Sequence, residues 1–570
     1  MALIKYKTNL WTLLLYLFTI FIFLCSLGNL LIAIFPVSYE LGHDESEHLH
    51  VAYLLEKGQR PYLDFIENHP TLFNHYLRWL WNLLKPGTVR TWAMAARITI
   101  LFHILFMIYI FYKWISDLLN FSMNKKSKWL YYLLSFSFIG YYDQQLDFMW
   151  QIRPDWISYC FSFTGLYLFY KSIKISVLQK AGNKIYPIFY FTLAAILAGL
   201  GNAILPKGFT IIIGIVIGLL ALVLTRQIKS DYFFNKTFII RLISFACLSA
   251  IFFFYGVLVD CHLSGINFKT WIKANIILNS IKHLPLTNAD NNPITSIAAI
   301  FSLNLFLIIM MMLWLFYKLL SRPEEKENIK RQFLTISLFI IIVNISMTAF
   351  GNGLSWPHYF IPCVISALTI YMIILLEVEK YMGREDTKKP EFRKKVLFYL
   401  AIVILFAILI RQPLNLYAGI MGLKANLSDN LIRSNPDYLN ESIMPSNLIY
   451  FTPKPTEMPI RANHSGYYFM LVIDKKIWRD CYNLGLGPEP EKHIRTLFEN
   501  TPPDILAFNG PIKLHEFIIL ANSVQNVNLT WLLEKVEKDY FLMQNKLKQL
   551  YVRKDIADTL VTTGWNRVEK

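Results

Sequence analysis

The sequence predicts a polytopic α-helical membrane protein of about eleven transmembrane helices followed by a small C-terminal α/β domain. Three observations carry this. Over 570 residues, 55% are hydrophobic and 17% charged, with a mean hydropathy of +0.39, too apolar for a water-soluble globule. The apolar residues fall in runs near the length that crosses a bilayer, and Lys and Arg gather in alternate short connections. After Arg411, prolines, asparagines and charges return, and no later run is long enough to span.

The first apolar stretch, 9–35, is too long for a signal-peptide core and lacks a small-residue cleavage site, so it reads as a signal anchor. Lys5 and Lys7 before it hold the N-terminus in the cytoplasm, which puts the next connection, 36–91, outside. Further spans are expected near 92–119, 130–142, 154–171, 187–205, 208–225, 240–260, 296–317, 332–350, 358–377 and 396–411, the 130–142 run being short for a crossing. Connections assigned inside carry Lys125, Lys126 and Lys128, then Lys171 to Lys184, Arg226 to Arg241, Arg322 to Arg331, and Lys380 to Lys395. Those assigned outside are poor in both residues, apart from the first loop and the stretch holding Lys269, Lys273 and Lys282. This positive-inside pattern accounts for the net charge of +17 without a nucleic-acid partner. The six cysteines form no CxxC or Cys/His pattern, so a zinc-finger or redox role has no support.

Residues 1–411 therefore form the membrane domain and 412–570 a soluble domain, which an odd number of spans places outside. In that domain the strand-like runs LIYFTP, YYFMLVID, DILAFNG and KQLYVRK alternate with helix-like stretches around EKHIRTLFE, LHEFIILANSV and LTWLLEKVEKDY.

The first outer loop concentrates the chemistry. In GHDESEHLHVAYLLEKGQRPYLDFIENHPTLFNHYLRWLWNLLKP, Asp44 and Glu45 open a helical pattern through Leu49, Ala52, Tyr53 and Glu56, closed by Gly58 and Pro61. The following turn carries Asp64, Glu67 and His69. Beyond it, Leu72, Tyr76, Trp79, Leu80 and Leu83 make one apolar face, with Asn74, His75, Arg78, Asn82 and Lys85 opposite, as in a helix lying in the membrane interface. A plainer role for Asp44 is as an N-cap, with Glu47 completing a capping box.

The ensemble of Asp44-Glu45, then Asp64, then His69-Pro70 ahead of an interfacial helix resembles the GT-C superfamily of integral-membrane glycosyltransferases, in its protein O-mannosyltransferase and aminoarabinose-transferase branch. The resemblance covers about the first hundred residues, and Thr71 stands where that branch commonly has a second proline. It implies a GT-C-like fold and an inverting glycosyltransferase, with a polyprenyl-monophosphate-linked sugar as donor and a lipid, glycan or protein as acceptor. Such a reaction needs a carboxylate to take the acceptor proton, cations for the departing phosphate and an apolar groove for the lipid. Asp44, with Glu45 beside it, is the candidate base.

For the phosphate, DQQLDFMWQIRPDW supplies Arg153, costly near lipid unless it faces water or an anion, followed by Pro154 and Asp155 suited to a helix start. The LPKG hairpin supplies Lys207, for which snorkelling to the interface is the plainer role. SWPHYFIP brings His358 to the outer interface, where belt aromatics are ordinary. A divalent ion has candidate donors in His43, Asp44, Glu45 and His69, though their spacing is no recognised ligand pattern. Two functions compete: a polar-lipid or glycan transporter without transferase activity, against which stands the absence of an internal repeat, and a non-catalytic membrane scaffold using the soluble tail for partners, which would not need an interfacial Asp-Glu pair. Lysine-rich short loops suit a bacterial inner membrane, with the site extracytoplasmic.

Overall fold

A computed structural model describes residues 17, 20–29, 31–32, most of 43–85, 89–118, 151–178, 185–224, 236–278, 338–343, parts of 413–421, 450–451 and most of 481–568. The expected spans at 130–142, 296–317, 358–377 and 396–411 lie outside the described residues, as do the YYFMLVID run and His358. The helices are α1 (Ile20–Asn29), α2 (His43–Glu56), α3 (Leu72–Leu84), α4 (Val89–Leu118), α5 (Asp155–Leu178), α6 (Ile185–Ile204), α7 (Phe209–Leu224), α8 (Lys236–Ser264) and α9 (Phe268–Ile272), which continues as a π-helical turn, Lys273–Ile277. Among the described residues three helical segments are long and apolar enough to cross a membrane: Thr91–Trp114, Ile185–Ile204 and Ile240–Ser264.

Small residues let α6 wedge between α5 and α8. Ala194, Ala195, Ala198 and Ala203 are all buried, and a Cβ built on Gly199 would lie 2.5 Å from the Ser249 carbonyl of α8. One built on Gly201 would lie 2.9 Å from the Ser158 carbonyl of α5. Backbones this close are the usual answer to packing helices where lipid offers no hydrophobic drive. The outward side of α8 is correspondingly apolar, with Ile251, Phe254, Tyr255 and Leu258 exposed.

α3 buries polar residues together with apolar Phe73, Leu77 and Leu80. Its polar Asn74 and His75 are buried, whereas Trp79, Leu83 and Leu84 are exposed. An apolar ridge turned away from the protein suits a helix whose outer surroundings are lipid rather than water. Leu80, grouped by periodicity with the apolar face, is buried with the protein side instead.

The C-terminal region carries β1 (Tyr450–Phe451), α10 (Pro490–Asn500), β2 (Ile505–Leu506), α11 (Pro511–Asn522), α12 (Thr530–Asp539), β3 (Tyr540–Gln544), β4 (Gln549–Arg553), α13 (Ala557–Val561) and β5 (Asn566–Arg567). The strands form one sheet of order β1-β2-β4-β3-β5, parallel only between β1 and β2. Alternation along the strands separates two cores. Leu550, Val552, Met543 and Ile505 pack with Ala557 and Trp565 on one face. Tyr551, Tyr540 and Leu506 face a larger core, built with α10–α12, that continues into Tyr62, Val257, Cys261 and Trp271 of the membrane part.

Candidate active site

The first outer loop folds so that helix N-termini meet. Asn74 Oδ1 lies 3.2 Å from His48 Nδ1, Arg78 donates to the Leu55 carbonyl at 3.3 Å, and Asn82 donates to Glu56 at 2.9 Å. The paired positions advance together along both chains, so α2 and α3 run side by side in the same direction. The loop 57–71 returns between them and delivers Glu67 and His69 to the end where both helices start. The His48 and His69 rings stand 5.5 Å apart there. Asp44 is the second residue of α2, inside its first turn rather than before it.

A third N-terminus joins through Glu45. This carboxylate is fully buried, and Arg97 of α4 grips both its oxygens, with Nε to Oε1 at 2.7 Å and Nη2 to Oε2. Oε1 also accepts the Ile152 N–H at 3.0 Å. The segment leading into α5 is thereby fastened to the residue after Asp44, with Arg153 next in line. Arg153 is itself buried, and its Nε lies 3.4 Å from Asp155 Oδ2 at the first position of α5. The 3-10 turn Pro206–Gly208, which holds Lys207, packs on the same helix start: Ser158 donates to the carbonyls of Gly201 and Leu205 at 2.7 and 3.1 Å.

A compact donor set lies at the junction of α2 and α3. Glu47, Glu67 and His69 each offer a ligand atom within 4.8 Å of the others. His69 donates from its backbone N at 2.9 Å and from Nδ1 at 3.1 Å to Glu67 Oε1. In the neutral ring that places the lone pair on Nε2.

The remaining candidates separate. Asp64 turns outward, accepting from Arg60 N at 2.8 Å and from its guanidinium at 3.3 Å, which holds Arg60 above its usual range. His69, by contrast, is central. Four contributors were not among the expected site residues: Glu47, read only as a capping-box partner, Glu67, read only as part of the turn, Arg97 and Asp260. Arg97 had a usable signal, since a guanidinium inside an apolar span demands a buried partner. Asp260 lies in the last turns of α8 and accepts from Thr71 N at 3.1 Å, Thr71 Oγ1 at 2.6 Å and Trp271 Nε1 at 2.8 Å. It thereby fixes the start of α3 just beyond His69-Pro70.

No protein-family model and no curated protein matches the chain. Its fold is nevertheless similar to that of a solved structure. The structure of ArnT from Cupriavidus metallidurans bound to undecaprenyl phosphate superposes over 95% of this chain and 97% of that one, with a TM-score of 0.51 and 11% identity. The Archaeoglobus fulgidus oligosaccharyltransferase tethered to an acceptor peptide covers 95% of this chain and 74% of that one, with a TM-score of 0.46 and 13% identity.

Proposed function

We propose that the chain transfers a sugar from a polyprenyl-monophosphate donor to an acceptor on the extracytoplasmic face of its membrane, with Asp44 as general base. The observation that carries this reading is the buried Glu45, which joins the first turn of α2, bearing Asp44, to the segment bearing Arg153. A base and a cation at one place are what the reaction demands. The carboxylate takes the proton as the acceptor oxygen or nitrogen attacks the anomeric carbon, and the bond from that carbon to the phosphate oxygen breaks with its electron pair leaving on the phosphate. Arg153 and Lys207 then bind the extra negative charge, aided by helix N-termini that favour anions. An inverting course accompanies this reading, as does an envelope of about eleven spans with the membrane domain ending near 411 and the later sheet domain outside, in a bacterial inner membrane.

ArnT, which shares the fold, was crystallised with undecaprenyl phosphate, and that class of lipid is taken here as the donor carrier. Glu47, Glu67 and His69 also fit a divalent cation, because two carboxylates and an imidazole are the donors that zinc and manganese accept. When bound, the ion would supply positive charge against the departing phosphate.

The test is direct. Protein in lipid nanodiscs is given synthetic polyprenyl-phosphate sugars with a panel of lipid, glycan and peptide acceptors, and products are read by mass spectrometry. Release of polyprenyl phosphate with a glycosylated acceptor supports the proposal. Movement of the intact donor across proteoliposomes without bond cleavage would replace it with transport.

A further inference from the structure

Tyr62 occupies an unusual place in the chain. It is a bulky residue at φ 65, a left-handed conformation that only a surrounding structure can impose on it, and it is almost fully buried. Each of its polar groups is engaged. Its N–H donates to the Phe65 carbonyl at 2.7 Å, and its carbonyl accepts from Gly487 N at 2.7 Å. Its hydroxyl donates to the His69 carbonyl at 2.5 Å and accepts from Asn275 Nδ2 at 3.1 Å. Burial, with the Asp260 and Glu67 carboxylates nearby, keeps the phenol far above its ordinary range, so the hydroxyl stays a donor.

Two of these bonds lead in opposite directions. Gly487 ends the turn 481–487 of the C-terminal region and has φ 76, a conformation strained for any residue with a side chain. The same turn is fastened a second time, where Lys273 donates to the Leu484 carbonyl at 2.6 Å. Cys481 and Leu486 share one core with Tyr62 and Trp271. On the other side, His69 is held by Glu67 through its N–H and by Tyr62 through its carbonyl. One side chain and its own carbonyl thus connect the C-terminal region to the loop that brings His69 to the helix starts.

We infer that Tyr62 is a positioning residue that couples docking of the 481–487 turn to the placement of His69. The inference rests on the reading of His69 as part of the transfer site. Its physical content, that loop 65–71 is ordered by the C-terminal turn, holds independently of the reaction.

Hydrogen–deuterium exchange on the full-length protein in nanodiscs tests it. Tyr62→Phe keeps the ring in the core and the carbonyl bond to Gly487 but removes the bond to His69. Backbone exchange across 65–71 should rise by about tenfold or more in this variant, with 481–487 unchanged. Gly487→Ala should raise exchange in both segments, because it opens the turn and releases Tyr62 together. In the transferase assay, Tyr62→Phe should lower kcat by about tenfold with little change in donor KM, since the donor's own contacts are retained. Wild-type exchange across 65–71 in Tyr62→Phe overturns the coupling, and so does a Gly487→Ala effect confined to 481–487. A wild-type protein that transfers no sugar defeats the functional reading instead, while the exchange result still decides the coupling.

Discussion

Glu45 Oε1 accepts the Ile152 N–H at 3.0 Å, so the residue after Asp44 is tied to the residue before Arg153. The same carboxylate is gripped by Arg97, and both members of that pair are buried. Removing one charge leaves the other without a partner in a low-dielectric interior, at a cost of about 3–5 kcal/mol. Glu45→Gln is therefore expected to lower the melting temperature of the detergent-extracted protein clearly. Replacing both residues by Leu should recover most of the stability, yet transfer should stay impaired because Ile152 has lost its acceptor. Wild-type melting and turnover in Glu45→Gln would show that the pair holds nothing in place.

Asp44 lies in the first turn of α2, where a carboxylate favours the positive helix end and Asn is tolerated. Asp44→Asn should melt like wild type and lose transfer by about a hundredfold or more. A well-folded variant with full activity would return Asp44 to a purely helical role.

Arg153 and the turn holding Lys207 meet at the start of α5. A guanidinium grips two phosphate oxygens in one plane, which an ammonium cannot reproduce, so Arg153→Lys should be harmful even with its charge kept. Both this variant and Lys207→Gln are expected to weaken donor binding and slow turnover while the protein remains folded. Binding of a polyprenyl-phosphate sugar, measured on nanodisc-held protein, checks each. Unchanged affinity in both would move the phosphate elsewhere.

What could be read from the sequence was what repeats or what stands out chemically. The five expected spans at 92–119, 154–171, 187–205, 208–225 and 240–260 fall on the helices α4 through α8, of which α4, α6 and α8 hold segments long and apolar enough to cross a membrane. In the C-terminal region, α10, α11 and α12 match the helical periodicity, and β1, β2 and β4 fall in the strand-like runs. β3 was hidden at the end of the α12 stretch, where Tyr540 both closes the helix and opens the strand. The grouping of Glu47 with Glu67 and His69 was not legible at all. It depends on loop 57–71 folding back so that α2 and α3 start at one end, and Tyr62, Asn275 and Asp260, which enforce that fold, are dispersed over about two hundred residues. Asp64 illustrates the converse, since a conspicuous acid beside the site is spent on Arg60.

The donor set at Glu47, Glu67 and His69 makes a prediction that needs no turnover. Chelated protein titrated with zinc or manganese alone should show one site by calorimetry. Glu67→Gln and His69→Asn should each weaken it by at least about tenfold, through the ligands or the hydrogen bond that orients the ring. Equal binding in wild type and both variants would place any bound ion away from α2 and α3.

His75 contributes a pH dependence to stability. It is buried on the inner side of α3, and burial first, then the Arg78 charge, pushes its pKa down to about 3 from 6.5. The neutral ring fits its setting: Nε2–H donates to Ser264 Oγ at 2.8 Å, Ser264 donates to Thr71 Oγ1 at 2.8 Å, and Thr71 donates to Asp260 at 2.6 Å. The folded pKa lies below the unfolded one, so between about 3 and 6.5 the unfolded chain binds the extra proton. The contribution of His75 is thus complete above 6.5 and is lost as the pH falls toward 3, at up to about 1.4 kcal/mol per pH unit. His75→Gln retains a donor within reach of Ser264 but does not titrate. Melting temperatures of wild type and variant, taken from neutral pH down through this window, should differ by an amount that shrinks or reverses as the wild type loses its share. Parallel curves would mean that the folded protein accepts the proton on His75 as readily as the unfolded chain does.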